Sequence, residues 1–251
     1  MRALRSTPPT LEHECALAAS VAEDRPVVVV GLDEVGRGAI AGPVAVGACA
    51  VLIQDGTVSR PLPADVRDSK LLSATRRDAL VDPIRESAHA SAIGWASPAE
   101  IDSQGIITAL SLAARRALDG LGVPVDAVLL DGNVDVLADD SAPEGRAAPS
   151  PVVALRVKAD RDCQSVAAAS VLAKVARDAH MAELSHEAPA YGWEKNKGYG
   201  SAGHREAIGE LGTHHQHRRS WNLGPSEPTP NPGVPWGSGR SDRAKQQEGR
   251  A

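Results

Sequence analysis

The chain is poor in cysteine. Cys15, Cys49 and Cys163 are an odd number at unrelated spacings with no CxxC pair, which argues against a disulfide framework or a zinc knuckle and leaves three small buried or half-buried side chains. No run of about 18 apolar residues is present, so no segment reads as a membrane span. There is no GxxxxGK[ST], which removes a P-loop phosphate site, and no internal repeat. The first nine residues carry two arginines but no apolar stretch with a small-residue cleavage site, so they do not read as a secretory signal; the expectation is a soluble, cytoplasmic protein. Basic charge is also short: 27 Lys and Arg against 32 Asp and Glu give a formal charge of -5. That sum counts against a nucleic-acid partner, because phosphate binding is driven by Lys and Arg. Distribution decides the matter, since acids gathered round a divalent cation are offset locally while basic residues elsewhere line a binding face.

What is present suffices for one substantial core: 251 residues, 42% of them apolar. Residues 27–32 form a β-branched run that reads as a strand buried on both faces. Residues 43–53 follow a turn-rich stretch with Gly36, Gly38 and Gly42, and a hairpin-like pair is the simplest arrangement. Ser73 caps a predicted helix running to about residue 87, which Pro83 should end or kink. Residues 90–96 read as a strand. Ser97 and Pro98 supply a cap and a first-turn proline ahead of a helix over 106–121. Short apolar runs at 126–130 and 152–157 predict two more strands. Residues 163–187 have helical apolar spacing, and 202–211 form a further predicted helix. Beyond Leu223 the Pro, Gly and Ser content without periodicity reads as a disordered tail. The expected organisation is an N-terminal extension over 1–25, one α/β domain over 26–223, and the tail over 224–251. Ligands of such a domain belong at the carboxyl ends of its strands.

Acidic residues collect at those ends. Neighbours on a strand point to opposite faces, so Asp33 and Glu34 share one site only if the strand stops there. Val35-Gly36-Arg37-Gly38 allows it to stop. Asp131 and Asp160 follow the last two predicted strands, with Asp162 and Asp178 competing for the role of Asp160. Carboxylates from separate segments are a hard-oxygen set for a pair of Mg2+ or Mn2+ ions. Two such ions roughly 3.5 to 4 Å apart activate a water and stabilise the leaving oxygen in phosphodiester cleavage, with no His or Cys nucleophile. A single acid at a strand end is ordinarily a turn former, and Asp178 has Lys174 one turn earlier to pair with. Two adjacent acids closing a buried strand are harder to explain without a cation, because burial and mutual repulsion both oppose them.

The stretch GLDEVGRGAIAGPVAV over 31–46 resembles the opening motif of ribonuclease HII, the type 2 bacterial ribonuclease H. Further segments occur in that family's order: Asp68-Ser69-Lys70; Leu130-Asp131-Gly132; KAD ending at Asp160, then VAAASVLAKVARD ending at Asp178; Lys197-Gly198-Tyr199-Gly200 with His204; and HRRSW from His217 to Trp221. The resemblance runs from about residue 27 to 223. It implies a ribonuclease H-like fold, with a mixed central sheet flanked by helices and a helical C-terminal region. The activity it implies is hydrolysis of RNA paired to DNA, including single ribonucleotides embedded in a DNA duplex. By motif match Asp33, Glu34, Asp131 and Asp160 are similar to the family's four catalytic carboxylates, the first three also being assigned as metal ligands.

Gly36 and Gly38 let backbone approach a ligand closely, and Arg37 between them offers a planar cation for phosphate. Such a loop suits reading the ribose 2′-hydroxyl that separates RNA from DNA. In the family it acts with a tyrosine matching Tyr199 at the RNA-to-DNA junction. Lys70, Lys174, Arg177, Lys197, His204, Arg218 and Arg219 are candidate phosphate contacts, which fix register without reading sequence. The set Gly36, Arg37, Gly38, Lys70 and Tyr199 is assigned to substrate. His214, His215 and His217 suggest either a transition-metal cluster or, as the plainer reading, an exposed polar loop. Two departures from the family stand out, Gly105 where many members carry Asn and Leu71 in place of a second lysine. Ribonuclease HIII shares the carboxylates but carries a substantial domain ahead of them, whereas 32 residues precede Asp33 here. A non-catalytic binding module with the same fold is the rival from another class, and it predicts loss of an acid; all four are present. A monomer is expected, as no exposed apolar helix face is obvious.

Overall fold

Four consecutive valines, Val27 to Val30, open strand β1 (Val27–Val35), and the computed structural model shows why both faces are apolar. It describes residues 8–138 and 151–224. Alternation sends Val27 and Val29 to one face of the sheet and Val28, Val30 and Leu32 to the other, and each set lies in a separate buried cluster. The remaining strands are β2 (Val44–Gln54), β3 (Thr57–Val58), β4 (Ala90–Ala96), β5 (Ala127–Asp131) and β6 (Val152–Arg156). Their order is β3-β2-β1-β5-β6, with β4 also paired to β2. β2 runs antiparallel to both β1 and β4, while β5 runs parallel to β1 and β6 parallel to β5, so the sheet is mixed.

Helix α4 (Ile106–Gly120) covers one face and α6 (Gln164–Glu187) the other. The sequence contains no phenylalanine, and the layers are filled mainly with Val, Ala and Leu. Small side chains bring helix and sheet close. At Gly31, a Cβ would strike the backbone of Ser165 and Val166 on α6. A third cluster, holding Ile40, Met181, Leu184, Tyr191, Trp193 and Ile208, joins the end of α6 to α7 (Trp193–Asn196) and α8 (Ala202–Leu211).

The helix expected to end or bend at Pro83 does not stop there: α2 continues over Ala74–Ser87. Proline removes one bond to the preceding turn, but Leu80 and Ile84 on either side of it are buried in the main core and hold the helix on course. Ser97 makes a full capping box with Glu100 for α3 (Pro98–Gln104), and Gly105 separates α3 from α4. Most of the segment read as a tail, 225–251, lies outside the described residues.

The sequence reading marked no element before residue 27, yet α1 (Glu12–Val21) packs against the core through Ala18. Its Glu14 is fully buried, and one carboxylate oxygen accepts from the backbone N–H of Ser165 at 2.8 Å and its hydroxyl at 2.7 Å. Ser165 lies in the first turn of α6, so this acid caps the helix that packs behind the strand carrying Asp33 and Glu34. Replacing Glu14 by Ala strands both donors, and we expect a loss of about 1–3 kcal/mol in urea unfolding. A variant as stable as the parent would remove this role.

Candidate active site

The register of the sheet puts two carboxylates side by side. Leu32 of β1 pairs with Leu130 of the parallel β5, so the next residues, Asp33 and Asp131, stand together at the carboxyl ends of adjacent strands. Beyond Leu32 the pairing with β5 ends, while pairing with β2 continues to Val35 opposite Ala45. The expectation that the strand stops at Asp33 is therefore corrected: β1 runs through both acids. They still share a site because one flank of β1 is open from this point. Asp33, Glu34 and Asp131 line one cleft of about 250 Å3, with Arg37, Leu110, Asn133 and Val136.

Asp160 does not stand at a strand end. It lies in a single helical turn, α5 (Ala159–Asp162), reached through Lys158 at φ 65°. Asp131 orients this turn by accepting the N–H of Ala159 at 2.8 Å. The competitors of Asp160 are engaged elsewhere, Asp162 with Arg156 at 2.6 Å and Asp178 with Lys174 at 2.7 Å.

Burial and like charge act together here. Asp33 is pushed up to about 8, first by desolvation and then by Glu34, Asp131 and Asp160, with Ser170 opposing. Asp160 is raised by desolvation, Asp68 and Asp131, partly offset by Lys70 and Arg161. Desolvation works against the Lys70 ammonium, but Asp68, Asp160, Asp33 and Asp131 outweigh it and raise its pKa. Its Nζ is 3.6 Å from Asp160 Oδ2 while the side chain stays 76% exposed, which leaves it available at the rim. The carboxylates form an open set: among the described residues, no three of them bring oxygens within 4.8 Å of one another. Hard cations such as Mg2+ suit such a set, since they are held by one or two carboxylates with water and phosphate oxygens completing the shell.

One acid of the neighbourhood escaped the sequence reading, which tied the Asp68-Ser69-Lys70 motif to its lysine. Asp68 is 2% exposed, accepts the N–H of Lys70 at 2.9 Å and faces Arg161 at 3.8 Å. An aspartate two residues before a free N–H is a capping pattern, and that was the available signal.

The glycine-rich loop is held from below. Gly36 has φ 81°, and a Cβ there would run into the guanidinium of Arg177, whereas one on Gly38 would meet open space. Arg37 is half-exposed, 3.5 Å from Glu34. Gly198 O accepts from Ile40 N and Ala41 N at 2.9 and 3.1 Å, which brings Tyr199 beside the loop. Tyr199 is 39% exposed and lies under the Arg177 guanidinium, 5.7 Å from ring centre to Cζ.

Three candidate phosphate contacts are corrected. Arg177, Arg218 and His204 are buried. Arg177 donates to the carbonyls of Pro43, Ala41 and Lys197, and Arg218 to those of Gly42, Arg37 and Gly36. Loop carbonyls have no ladder partner and must be satisfied when buried, so both cations serve the frame. Burial, with Arg177 nearby, pushes Arg218 down to about 9, still charged at neutral pH. Lys174 is tied to Asp178, and Lys197 Nζ donates to Asp178 O at 3.3 Å. Nor is His217 part of an exposed loop: it is buried, with Nε2 3.1 Å from His204 Nε2, and Trp193 donates to that same His204 atom at 3.0 Å.

Comparison with known proteins agrees with this geometry. The family model described as Ribonuclease HII matches residues 30–223. A ribonuclease HII of Jannaschia sp. (strain CCS1) is 47% identical over 194 residues, covering 77% of this chain and 89% of the relative. One from Streptomyces avermitilis is 44% identical over 214 residues, covering 85% and 84%. Among solved structures, ribonuclease H2 from Pyrococcus horikoshii OT3 superposes with a TM-score of 0.62 at 25% identity, covering 78% of this chain and 95% of that one. Bst-RNase HIII in complex with Mn2+ shares the fold, with a TM-score of 0.59 at 21% identity over 82% and 70% of the two chains. The chain thus belongs to the ribonuclease HII family, endoribonucleases that act on RNA-DNA hybrids.

Proposed function

We propose that this chain cuts the RNA strand of RNA-DNA hybrids, and single ribonucleotides embedded in duplex DNA, using Asp33, Glu34, Asp131 and Asp160 as the catalytic carboxylates. The observation that carries this reading is Asp33, a buried carboxylate beside three others, which burial and those neighbours raise to about 8. Asp33, Glu34 and Asp131 would hold Mg2+ or Mn2+, which when bound polarises the scissile phosphate and lowers the pKa of the attacking water. The Mn2+ complex of the HIII relative supports the choice of metal class. Around that centre the residues have separable tasks. Asp131 fixes the turn that presents Asp160. Gly38 keeps the loop backbone bare where a sugar approaches, Gly36 lets the loop turn over the buried Arg177, and Arg37 supplies the charge for the phosphate. Lys70 on the Asp160 side holds a neighbouring phosphate. Tyr199 offers a ring face for stacking on the nucleotide at the RNA-to-DNA junction. Sugar type, not base sequence, then governs cutting. The reading extends to a monomer acting in the cytoplasm; no helix of the described residues is long and apolar enough to cross a membrane.

The direct test uses a DNA duplex bearing one ribonucleotide, with Mg2+ or Mn2+ and an all-DNA control. Asp33→Asn should slow cleavage by about 10²- to 10³-fold while binding, followed by fluorescence anisotropy, persists. Tight binding by folded wild type without cutting under either metal would favour a non-catalytic module. Tyr199→Ala, through loss of stacking worth about 1–3 kcal/mol, should lower kcat/KM on the same duplex by about 5- to 150-fold; an unchanged value would remove Tyr199 from the substrate site.

Metal-free stability carries a pH signature. The fold raises Asp33 from 3.8 to about 8, so it favours the protonated form, and the penalty for ionising it grows as pH rises between those values. In EDTA, the Tm of wild type should fall relative to Asp33→Asn from pH 5 to pH 8 and converge with it near pH 4. Parallel curves across this range would show that Asp33 is not strained.

A further inference from the structure

Away from the carboxylates, three ligating side chains meet where α6 ends and the loop after α8 passes it. We propose that Glu187, His214 and His215 bind a borderline transition-metal ion of the Zn2+ class, at a site separate from the catalytic one. One carboxylate oxygen and one nitrogen from each imidazole lie within 4.8 Å of one another, and no other such group of three occurs among the described residues. Two imidazoles and one carboxylate are a donor set for zinc, with a fourth position left to water. Imidazole nitrogen suits Zn2+, Ni2+ or Cu2+, whereas the all-oxygen cleft suits Mg2+ or Mn2+. Donor chemistry therefore keeps the two sites apart.

The site is built into the fold. Residues 214–217 form a tight turn, in which His217 N donates to His214 O at 2.9 Å and His214 N donates to His217 Nδ1 at 2.8 Å. His217 itself is buried, and the Tyr191 hydroxyl pins the preceding segment by donating to Gly212 O at 2.9 Å. His214 packs edge-on against Trp193, with ring centroids 5.3 Å apart, and its ring lies 4.0 Å from that of His215. Glu187 is the last residue of α6, where the unpaired carbonyls of the helix add negative potential. Desolvation, then His215, hold His214 below the ordinary histidine range, with Glu187 opposing; the neutral ring is the form that ligates. Both rings have neighbours that a metal ion would have to share or displace, among them the Gln216 N–H at 3.3 Å from His214 Nδ1 and Gln216 Nε2 at 3.5 Å from His215 Nε2.

Occupancy has a structural consequence. The turn leads directly into Arg218, whose guanidinium holds the carbonyls of Gly36 and Arg37. An ion joining α6 to this turn would stiffen the anchor of the glycine-rich loop from outside the cleft.

The test titrates Zn2+ into metal-free full-length protein with millimolar Mg2+ present, by calorimetry, comparing wild type with Glu187→Gln and His215→Ala, both exposed positions. Wild type should take up one Zn2+ that survives Asp131→Asn. Each of the two site variants should weaken that binding at least about tenfold, and Zn2+ should raise the Tm of wild type only. Co2+ gives an independent readout, since nitrogen-ligated Co2+ of low coordination number absorbs visible light strongly and the band should vanish in His215→Ala. Zn2+ binding equal in wild type and both variants, or abolished by Asp131→Asn alone, would overturn the proposal.

Discussion

Repulsion among desolvated carboxylates is the constraint round which this molecule is arranged. Asp33 sits two residues before the end of a strand buried on both faces, with Asp131 beside it on the parallel neighbour and Glu34 next in the chain. Its ionised form is disfavoured by the low-dielectric surroundings and by every nearby acid. A fold that only needed to be stable would place an apolar or amide side chain there. Keeping the acids makes sense where a divalent cation arrives to offset them, as in a metal-dependent nuclease.

Holding such a set in place requires rigid support, and much of it comes from groups that never reach the cleft. α6 supplies Ser170 against Asp33 and is itself capped by the buried Glu14 of α1. Close approach of α6 to the sheet at Gly31 fixes its depth. On the other side, Arg177 and Arg218 spend their donors on the carbonyls of the loop over 36–43. Arg177 also faces the ring of Tyr199, so one buried cation ties the loop to the aromatic beside it. Net charge, -5 for this chain, therefore does not tell which cations are free to face a substrate. Some of its arginines are structural, and the cations left at the rim, Arg37 and Lys70, stand against acids of the cleft.

Much of this was legible in the sequence where a single local rule decides the outcome. The valine run of β1 and the helical spacing of α6 are two such cases, and the structure has those elements. The register that sets Asp33 beside Asp131 was not legible, because pairing across about a hundred residues leaves no local mark. Arg177 and Arg218 looked like phosphate ligands because guanidinium chemistry is the same whether its acceptor is a phosphate or a buried carbonyl; only burial separates the two. α1 was missed because its apolar periodicity is weak and its key contact is a glutamate. The continuation of α2 through Pro83 reflects packing by Leu80 and Ile84, a tertiary effect that no propensity reveals.

Asp33 is held in an electrostatic conflict that a bound divalent cation would relieve. NMR titration of the Asp33 carboxyl carbon in the full chain, first in EDTA and then with Mg2+, tests it most directly. The account predicts a pKa far above 3.8 without metal, near 8, and a marked fall when Mg2+ is added. An ordinary carboxylate value in the metal-free protein, or a raised value indifferent to Mg2+, would contradict it.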